Sequence, residues 1–350
     1  MVFETGAYRG HEQVTYVSDE TTGLQAIIAV HDTTLGPALG GARMREYASS
    51  EAALTDVLRL SHAMTYKAAT ADLPLGGGKA VILGAPESKD EAMMRAYGQA
   101  IADLGGKYIT SVDMNTSVAD MDIIAGETPH VAGTSAGLGD PSPITAYGVV
   151  RALEACAEFA YGGDSLADIH VAIQGLGKVG GRVAQTLAER GTTLTVADPD
   201  ETTVSEFVET YGADAVSPES IYDVSCDILS PCAVGGVIND ETIKRLDCDI
   251  VAGGANNILA DETKHAQALH DRGVLYAPDY VINAGGLITV AKEPLGGTRE
   301  EAFEETAQIY ERLLEMFEQS ASEDITVLEA AQRYAEQRLA AESRQPAPVG

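Results

Sequence analysis

A chain of 350 residues is longer than one hydrophobic core usually organises, so two domains are expected. Its 53 acidic and 23 basic side chains are dispersed along the whole length, and a formal net charge of -30 argues against nucleic acid or an anionic membrane as partner. No window approaches a membrane span, and the opening MVFETGAYRG lacks the basic-then-apolar pattern of a secretory signal.

Cys156, Cys226, Cys232 and Cys248 contain no C-x-x-C pair. They read as small buried apolar residues of a reducing cytoplasm, with no metal site and no disulfide framework expected. Only eight of the basic residues are lysine. Dispersed acid with scarce lysine suits a cytoplasm at very high salt, where screening removes self-repulsion, and predicts a halophilic source.

In chain order, LQAIIAVHD (24–32) reads as a buried strand with β-branched residues at its centre. LGPALGGARM (35–44) follows as a glycine-rich loop. Ser49 or Ser50 caps a helix from Glu51, whose stripe of Leu54, Val57, Leu58 and Met64 delivers Lys67 at the far end. MTYKAATADLPLGGGKA (64–80) then places Lys67 and Lys79 around a Pro-Leu-Gly-Gly-Gly turn among apolar and small residues.

Two lysines there can divide the labour, one holding a carboxylate and the other, its pKa lowered by burial and a cationic neighbour, acting as a base. Equally, both can be helix-end lysines whose stems cover the core while their heads reach water. After the turn, AVIL (80–83) is a short strand, and Ser88 with Glu91 forms a capping box for a helix to Leu104, stopped by Gly105 and Gly106. YITSVDMNTS (108–117) supplies a strand ending on Asp113. The β-α-β-α-β order makes the first domain α/β.

HVAGTSAGLGDPSP (130–143) reads as a linker, and a helix over 145–161 leads into the second domain. There HVAIQ (170–174) is a strand, GLGKVG (175–180) follows it directly, and RVAQTLAER (182–190) is helical. TLTVAD (193–198) is the next strand and ends on Asp198. In this context Gly175 permits the tight turn, Gly177 lets a pyrophosphate approach, and Gly180 packs helix on strand. The helix N-terminus offers N–H groups to phosphates. Asp198 would accept from the adenosine ribose hydroxyls and repel a 2′-phosphate, favouring NAD.

CDILSP (226–231), DIVAGG (249–254) and VLYAPD (274–279) fit further strands. A long helix is expected from Thr298 to about Ser320 and a last one over roughly 325–343, with RQPAPVG (344–350) as a frayed tail. The two domains are placed at 1–140 and 141–324, with a C-terminal helix, 325–350, packing back on the first.

The stretches HDTTLGPALGGARM, MTYKAA, LPLGGGK, YITSVDMNTSVADMDII, PSPITAYGV, GLGKVG and APDYVINAGG together resemble the glutamate/leucine/phenylalanine/valine dehydrogenase family, and its leucine branch most, over nearly the whole chain. The resemblance implies an α/β substrate and oligomerisation domain and a Rossmann dinucleotide-binding domain with a cleft between them. It also implies NAD(P)-dependent oxidative deamination of an L-amino acid, the reverse amination, and a homo-oligomer.

Position by position, Lys67 resembles the lysine that binds the substrate carboxylate, Lys79 the lysine that activates water, and Asp113 the acid that exchanges protons with the amino nitrogen. Gly40 and Gly41 would let the substrate approach the backbone, with Met64 also at the substrate. Thr145, Asn256 and the loop Gly175, Leu176, Gly177, Lys178, Val179 and Gly180 would serve the cofactor, and Asn283 the substrate.

Glutamate-specific relatives carry lysine where this chain has Leu39, and a leucine there leaves a side-chain carboxylate desolvated and unpaired. Leu39, Leu287 and Val290 match the walls of an apolar pocket, with Ser111 nearby. An NAD-dependent enzyme for leucine, valine or isoleucine is therefore expected. The alternatives are a glutamate or phenylalanine enzyme of the same family and a catalytically silent dinucleotide-binding regulator. Two positions depart from the leucine branch: Val112 replaces an acid, and Asn115 stands where glycine is usual, as in the D-x-N-T of the glutamate branch.

Overall fold

The computed structural model describes residues 2–343, so the tail read as frayed, 344–350, lies outside the described residues. The chain forms two compact units. The first comprises the chain up to Gly139, together with Leu287–Arg299 and the residues from Ala335 on; the second comprises Asp140–Gly286 and Glu300–Tyr334.

In the first unit, strands β1 (Gln13–Asp19), β2 (Leu24–Asp32) and β3 (Ala38–Arg45) precede helix α1 (Ser50–Thr70). Then come β4 (Gly76–Leu83), α2 (Glu91–Ala102), β5 (Tyr108–Val112) and α3 (Val118–Ala125). The sheet runs β1-β2-β4-β3-β5, with β3 parallel to both β4 and β5, and β2 antiparallel to β4. Strand β2 is apolar from Ala26 to Val30 because both its faces are covered there. Ile27 and Ala29 pack with Ala53, Leu54, Val57 and Leu58 of α1, whereas Ala26, Ile28 and Val30 pack with Met93, Met94, Tyr97 and Ile101 of α2.

Two glycine-rich stretches read as loop and turn are strand. Residues 38–45 form β3, and Gly76, Gly77 and Gly78 begin β4. The glycines are there for close packing, not for a turn. A Cβ on Gly40 would lie 1.8 Å from the Gly78 carbonyl oxygen, and one on Gly77 would lie 2.1 Å from the Thr65 backbone nitrogen. The capping box expected at Ser88 is also displaced: Asp90 is the N-cap of α2 and accepts from Met93 N at 2.8 Å, with Ser88 in a preceding 3-10 turn.

The second unit opens with α4 (Ser142–Tyr161), β6 (His170–Gln174), α5 (Gly180–Glu189), β7 (Thr193–Ala197), α6 (Glu201–Tyr211) and β8 (Asp214–Ala215). It continues through β9 (Ile228–Pro231), β10 (Ile250–Val251), α7 (Glu262–Asp271), β11 (Leu275–Tyr276) and α8 (Asp279–Ile282). All strands are parallel in the order β11-β10-β9-β6-β7-β8. This is the doubly wound dinucleotide-binding order, which reverses direction between β6 and β9.

Helix α9 (Gly285–Leu295) is followed by α10 (Arg299–Ala307), α11 (Ile309–Glu323) and α12 (Val327–Glu342), so the single helix expected from Thr298 to Ser320 is two. The expected domain limits also differ from the units, because most of α9 returns to the first. Glu293 of α9 accepts from Gly133 N at 2.6 Å and Leu138 N at 3.0 Å, and Arg299 Nη1 donates to the Leu138 carbonyl at 2.7 Å. The far half of α12 belongs there too, since Arg338 donates to the carbonyls of Ala69 and Leu73, both at 2.9 Å, closing the C-terminal end of α1.

Candidate active site

Side chains alternate along a strand, so Leu39, Gly41 and Arg43 of β3 share one face. The register pairs Ala42 with Ala80 on one side and Gly41 with Ser111 on the other, which sets Gly41 between Lys79 and Ser111. Gly41 has no side chain to fill the space above it. A Cβ there would lie 2.7 Å from the Asp113 Cβ and 2.6 Å from the Val112 carbonyl oxygen. Across that gap Lys79 Nζ reaches Asp113 Oδ2 at 2.8 Å.

Asp113 follows the last residue of β5 and is pinned by its own turn. Its N–H donates to Thr116 Oγ1 at 2.9 Å, and the Thr116 hydroxyl lies 2.9 Å from the Ala42 carbonyl. Asn115 holds the left-handed conformation at φ 60°, and its Nδ2 donates to the Met44 carbonyl at 2.9 Å. Glycine and asparagine are the residues that take this conformation most readily, so the departure at Asn115 preserves the turn.

Lys79 is buried, 7% exposed. Burial pushes its pKa down; Asp113 pulls it back up and Arg43 adds to the lowering, and the balance lies below the ordinary lysine value. Burial acts on Asp113 in the opposite sense and raises it. Lys79 and Arg43 outweigh that effect and hold the carboxyl below its usual range. A base poised to lose its proton therefore lies against a carboxylate held ionised. This pairing suits proton transfer on a nitrogen or oxygen substrate.

Lys67 stands half-buried in the last turn of α1, and Met64 one turn before it. The close approach at Gly77 and the Arg338 cap fix that end of the helix. Leu39 is buried at 1% exposure, and the Tyr108 hydroxyl donates to the Gly40 carbonyl at 2.6 Å. Leu287 is buried and Val290 half-buried on α9, within the first unit. The expected carboxylate, proton-transfer and pocket residues thus all belong to that unit.

The second unit holds the glycine loop. Gly175 has φ 95°, and a Cβ on Gly180 would lie 2.0 Å from the Gly175 carbonyl oxygen, so the fold itself requires glycine at both. Gly177 is different. No protein atom lies within 4 Å of a Cβ placed there. Packing does not require glycine at that position, and the open space leaves room for a ligand to approach. Val179 is the N-cap of α5 and gives no side-chain cap, so its N-terminal N–H groups are available to phosphate. Lys178 is exposed beside them.

Asp198 Oδ2 accepts from Leu176 N at 2.7 Å and Oδ1 from Asp200 N at 2.9 Å, which ties the loop to the end of β7. Each oxygen keeps a lone pair for a ribose hydroxyl. Asn283 is buried, and its Nδ2 donates to Asn256 Oδ1 at 2.8 Å, so it orients the exposed Asn256. Thr145 is buried in the first turn of α4, with its Oγ1 3.1 Å from where a Gly286 Cβ would be. These features fit a dinucleotide.

Arg43, Asp56 and Thr116 escaped the sequence reading. The only trace of Arg43 was its place two residues after Gly41 on one strand face, hidden while 35–44 read as loop.

Residues 11–130 match the family described as Glu/Leu/Phe/Val dehydrogenase, dimerisation domain, and 194–346 match Glutamate/Leucine/Phenylalanine/Valine dehydrogenase. The chain is 50% identical over 333 residues to a leucine dehydrogenase of Geobacillus stearothermophilus, covering 94% of this chain and 90% of that one. It is 48% identical over 332 residues to a phenylalanine dehydrogenase of Lysinibacillus sphaericus, covering 92% and 87%. The crystal structure of L-tryptophan dehydrogenase from Nostoc punctiforme superposes with a TM-score of 0.90 at 44% identity, covering 98% of this chain and all of the other.

Proposed function

The chain belongs to the Glu/Leu/Phe/Val dehydrogenase family, and we propose that it converts a branched-chain apolar L-amino acid to its 2-oxo acid and ammonia with NAD, and runs the reverse amination. The observation that carries this reading is the buried Lys79 held 2.8 Å from Asp113 on the face it shares with Gly41.

Lys67 binds the α-carboxylate of the amino acid, and Gly40 and Gly41 leave room for its backbone. Asp113 takes a proton from the amino group, so that the nitrogen lone pair can form the imine as hydride leaves Cα. Bound NAD supplies the hydride acceptor. Lys79 then takes a proton from the water that attacks the imine carbon, Asp113 returns a proton to the nitrogen of the resulting carbinolamine, and as the C–N bond breaks the hydroxyl proton leaves with the ammonia as ammonium. Gly175, Gly177 and the uncapped start of α5 hold the pyrophosphate. Asp198 holds the adenosine ribose and disfavours a 2′-phosphate. Asn256, oriented by Asn283, and Thr145 serve the nicotinamide end.

Leu39, Leu287 and Val290 line the side-chain pocket. Beside the buried, apolar Leu39 a second carboxylate would be stripped of water. In an assay of NADH formation at 340 nm, leucine, valine and isoleucine turn over, glutamate does not, and NADP replaces NAD poorly. Turnover on glutamate, or on phenylalanine and tryptophan ahead of the aliphatic acids, would contradict the pocket assignment.

The match to a dimerisation domain supports a homo-oligomer. Among the described residues no helix is long and apolar enough to cross a membrane, which accords with a cytoplasmic enzyme. The net charge of -30 supports a high-salt setting. The melting temperature is accordingly expected to rise with KCl into the molar range, and full stability in dilute buffer would contradict that setting.

A further inference from the structure

A second cation reaches the Asp113 oxygen that Lys79 uses. Arg43 Nε donates to Asp113 Oδ2 at 3.2 Å, while Lys79 Nζ lies 2.8 Å from the same atom. Nη1 of the same guanidinium donates to Asp56 Oδ2 at 3.2 Å, and the Tyr47 hydroxyl donates to that oxygen at 2.7 Å. The row Lys79–Asp113–Arg43–Asp56–Tyr47 thus alternates in sign and ends on a neutral hydroxyl. It joins β4, β5, β3 and α1. The side chains of Arg43 and Asp56 are 18% and 29% exposed, so solvent screens them only in part.

We propose that Arg43, balanced by Asp56, is a positioning residue that fixes the Asp113 carboxylate beside Lys79 and sets the pH at which the site becomes competent for deamination. The rigid planar fork of Arg43 holds Asp113 through Nε and Asp56 through Nη1 in a fixed relative geometry, which the compact, freely rotating ammonium of a lysine does not impose. Each member of the row also acts on Lys79 in a definite direction. Arg43 disfavours its protonated form, and Asp113 and Asp56 favour it. Other charged or titratable groups acting on the row are Arg45 beside Tyr47 and Tyr108 on β5; α1 also carries Lys67 in its last turn, and from β2 the residue opposite Lys79 is the neutral Ala29.

The inference rests on Lys79 serving as the base, and its test is the pH profile of kcat/KM for deamination. Activity rises with pH as Lys79 loses its proton. Arg43→Gln removes a repelling cation and moves this acidic limb to higher pH; Asp56→Asn removes an attracting anion and moves it to lower pH. Below the limb, each unit of upward movement is about a tenfold loss in kcat/KM at fixed pH. The amino group of the substrate titrates alike in every variant, so the differences report the protein.

Arg43→Lys keeps the charge, and its limb stays on the native one while kcat falls. Limbs that superimpose on the native profile, or that move in one direction in both variants, overturn the proposal. If Arg43→Gln does not fold, Asp56→Asn decides alone, since an unmoved or raised limb overturns it. A native enzyme silent on every amino acid, or a fully active Lys79→Ala variant, removes the reading of Lys79 itself. Unmoved limbs in an active enzyme remove only the role of Arg43.

Discussion

Lys79→Ala lowers kcat for deamination by about 10²- to 10⁴-fold, the range that a positioned acid–base group contributes. NAD affinity stays at the native value, because the residues proposed to hold the dinucleotide belong to the second unit while Lys79 belongs to the first. The size of the effect follows from the setting of the amine. Lys79 is 7% exposed, has its pKa lowered by burial and lies 2.8 Å from the Asp113 carboxylate, and an alanine in its place carries no group to take the proton of the attacking water. Asp113→Asn removes the other half of the pair and gives a loss of similar size. The double variant is no slower than the worse single one, since the two groups act as a unit. Isothermal titration with NAD and stopped-flow NADH formation check the two halves of this expectation. A Lys79→Ala enzyme within tenfold of native turnover would contradict it.

Gly77→Ala is expected to lower stability by about 3 kcal/mol, at the upper end of the usual penalty for overpacking. The added Cβ would lie 2.1 Å from Thr65 N and 2.5 Å from Thr65 Cα. Both are backbone atoms, so no side chain can swing aside; α1 must move off the sheet. That movement displaces Met64 and Lys67, which flank Thr65 on the helix, so the KM for the amino acid rises with the loss of stability. Urea denaturation followed by circular dichroism gives the first effect and steady-state kinetics the second. Gly177→Ala is the contrasting case. Its Cβ meets no protein atom within 4 Å, so the fold keeps its stability and NAD affinity falls. Unchanged stability in Gly77→Ala would show that α1 does not bear on β4 as described.

These two glycines also show what local sequence conveys and what it hides. Strands such as 24–32 and 170–174 announce themselves because their apolar cores are continuous and rich in β-branched residues. Strand β3 does not, because Gly40 and Gly41 carry no side chain whose alternation could be read, and a stretch that exists for close packing looks like a loop. The same blindness applied to Gly76, Gly77 and Gly78. The nearest backbone contact of Gly77, in α1, can be seen only once helix and sheet are assembled.

Lys79, Asp113 and the dinucleotide loop were recognisable as residue types in context. The bond between Lys79 and Asp113 was not, since it depends on β3 lying between β4 and β5. Arg43 went unnoticed for the same reason: its partners Asp56 and Asp113 come from a helix and a strand whose order the local pattern does not contain. The return of α9 to the first unit rests on the Glu293 carboxylate, an unremarkable acid among 53 in the chain.

The most direct test of Lys79 as the proton-transfer group is chemical rescue. Alanine at position 79 leaves a space the size of the missing propylamine, beside the Asp113 carboxylate. Methylamine and ethylamine added to Lys79→Ala should restore leucine-dependent NADH formation, saturably and in proportion to the free amine, and should do nothing for Asp113→Asn. A Lys79→Ala enzyme that turns over at the native rate without added amine would contradict the account.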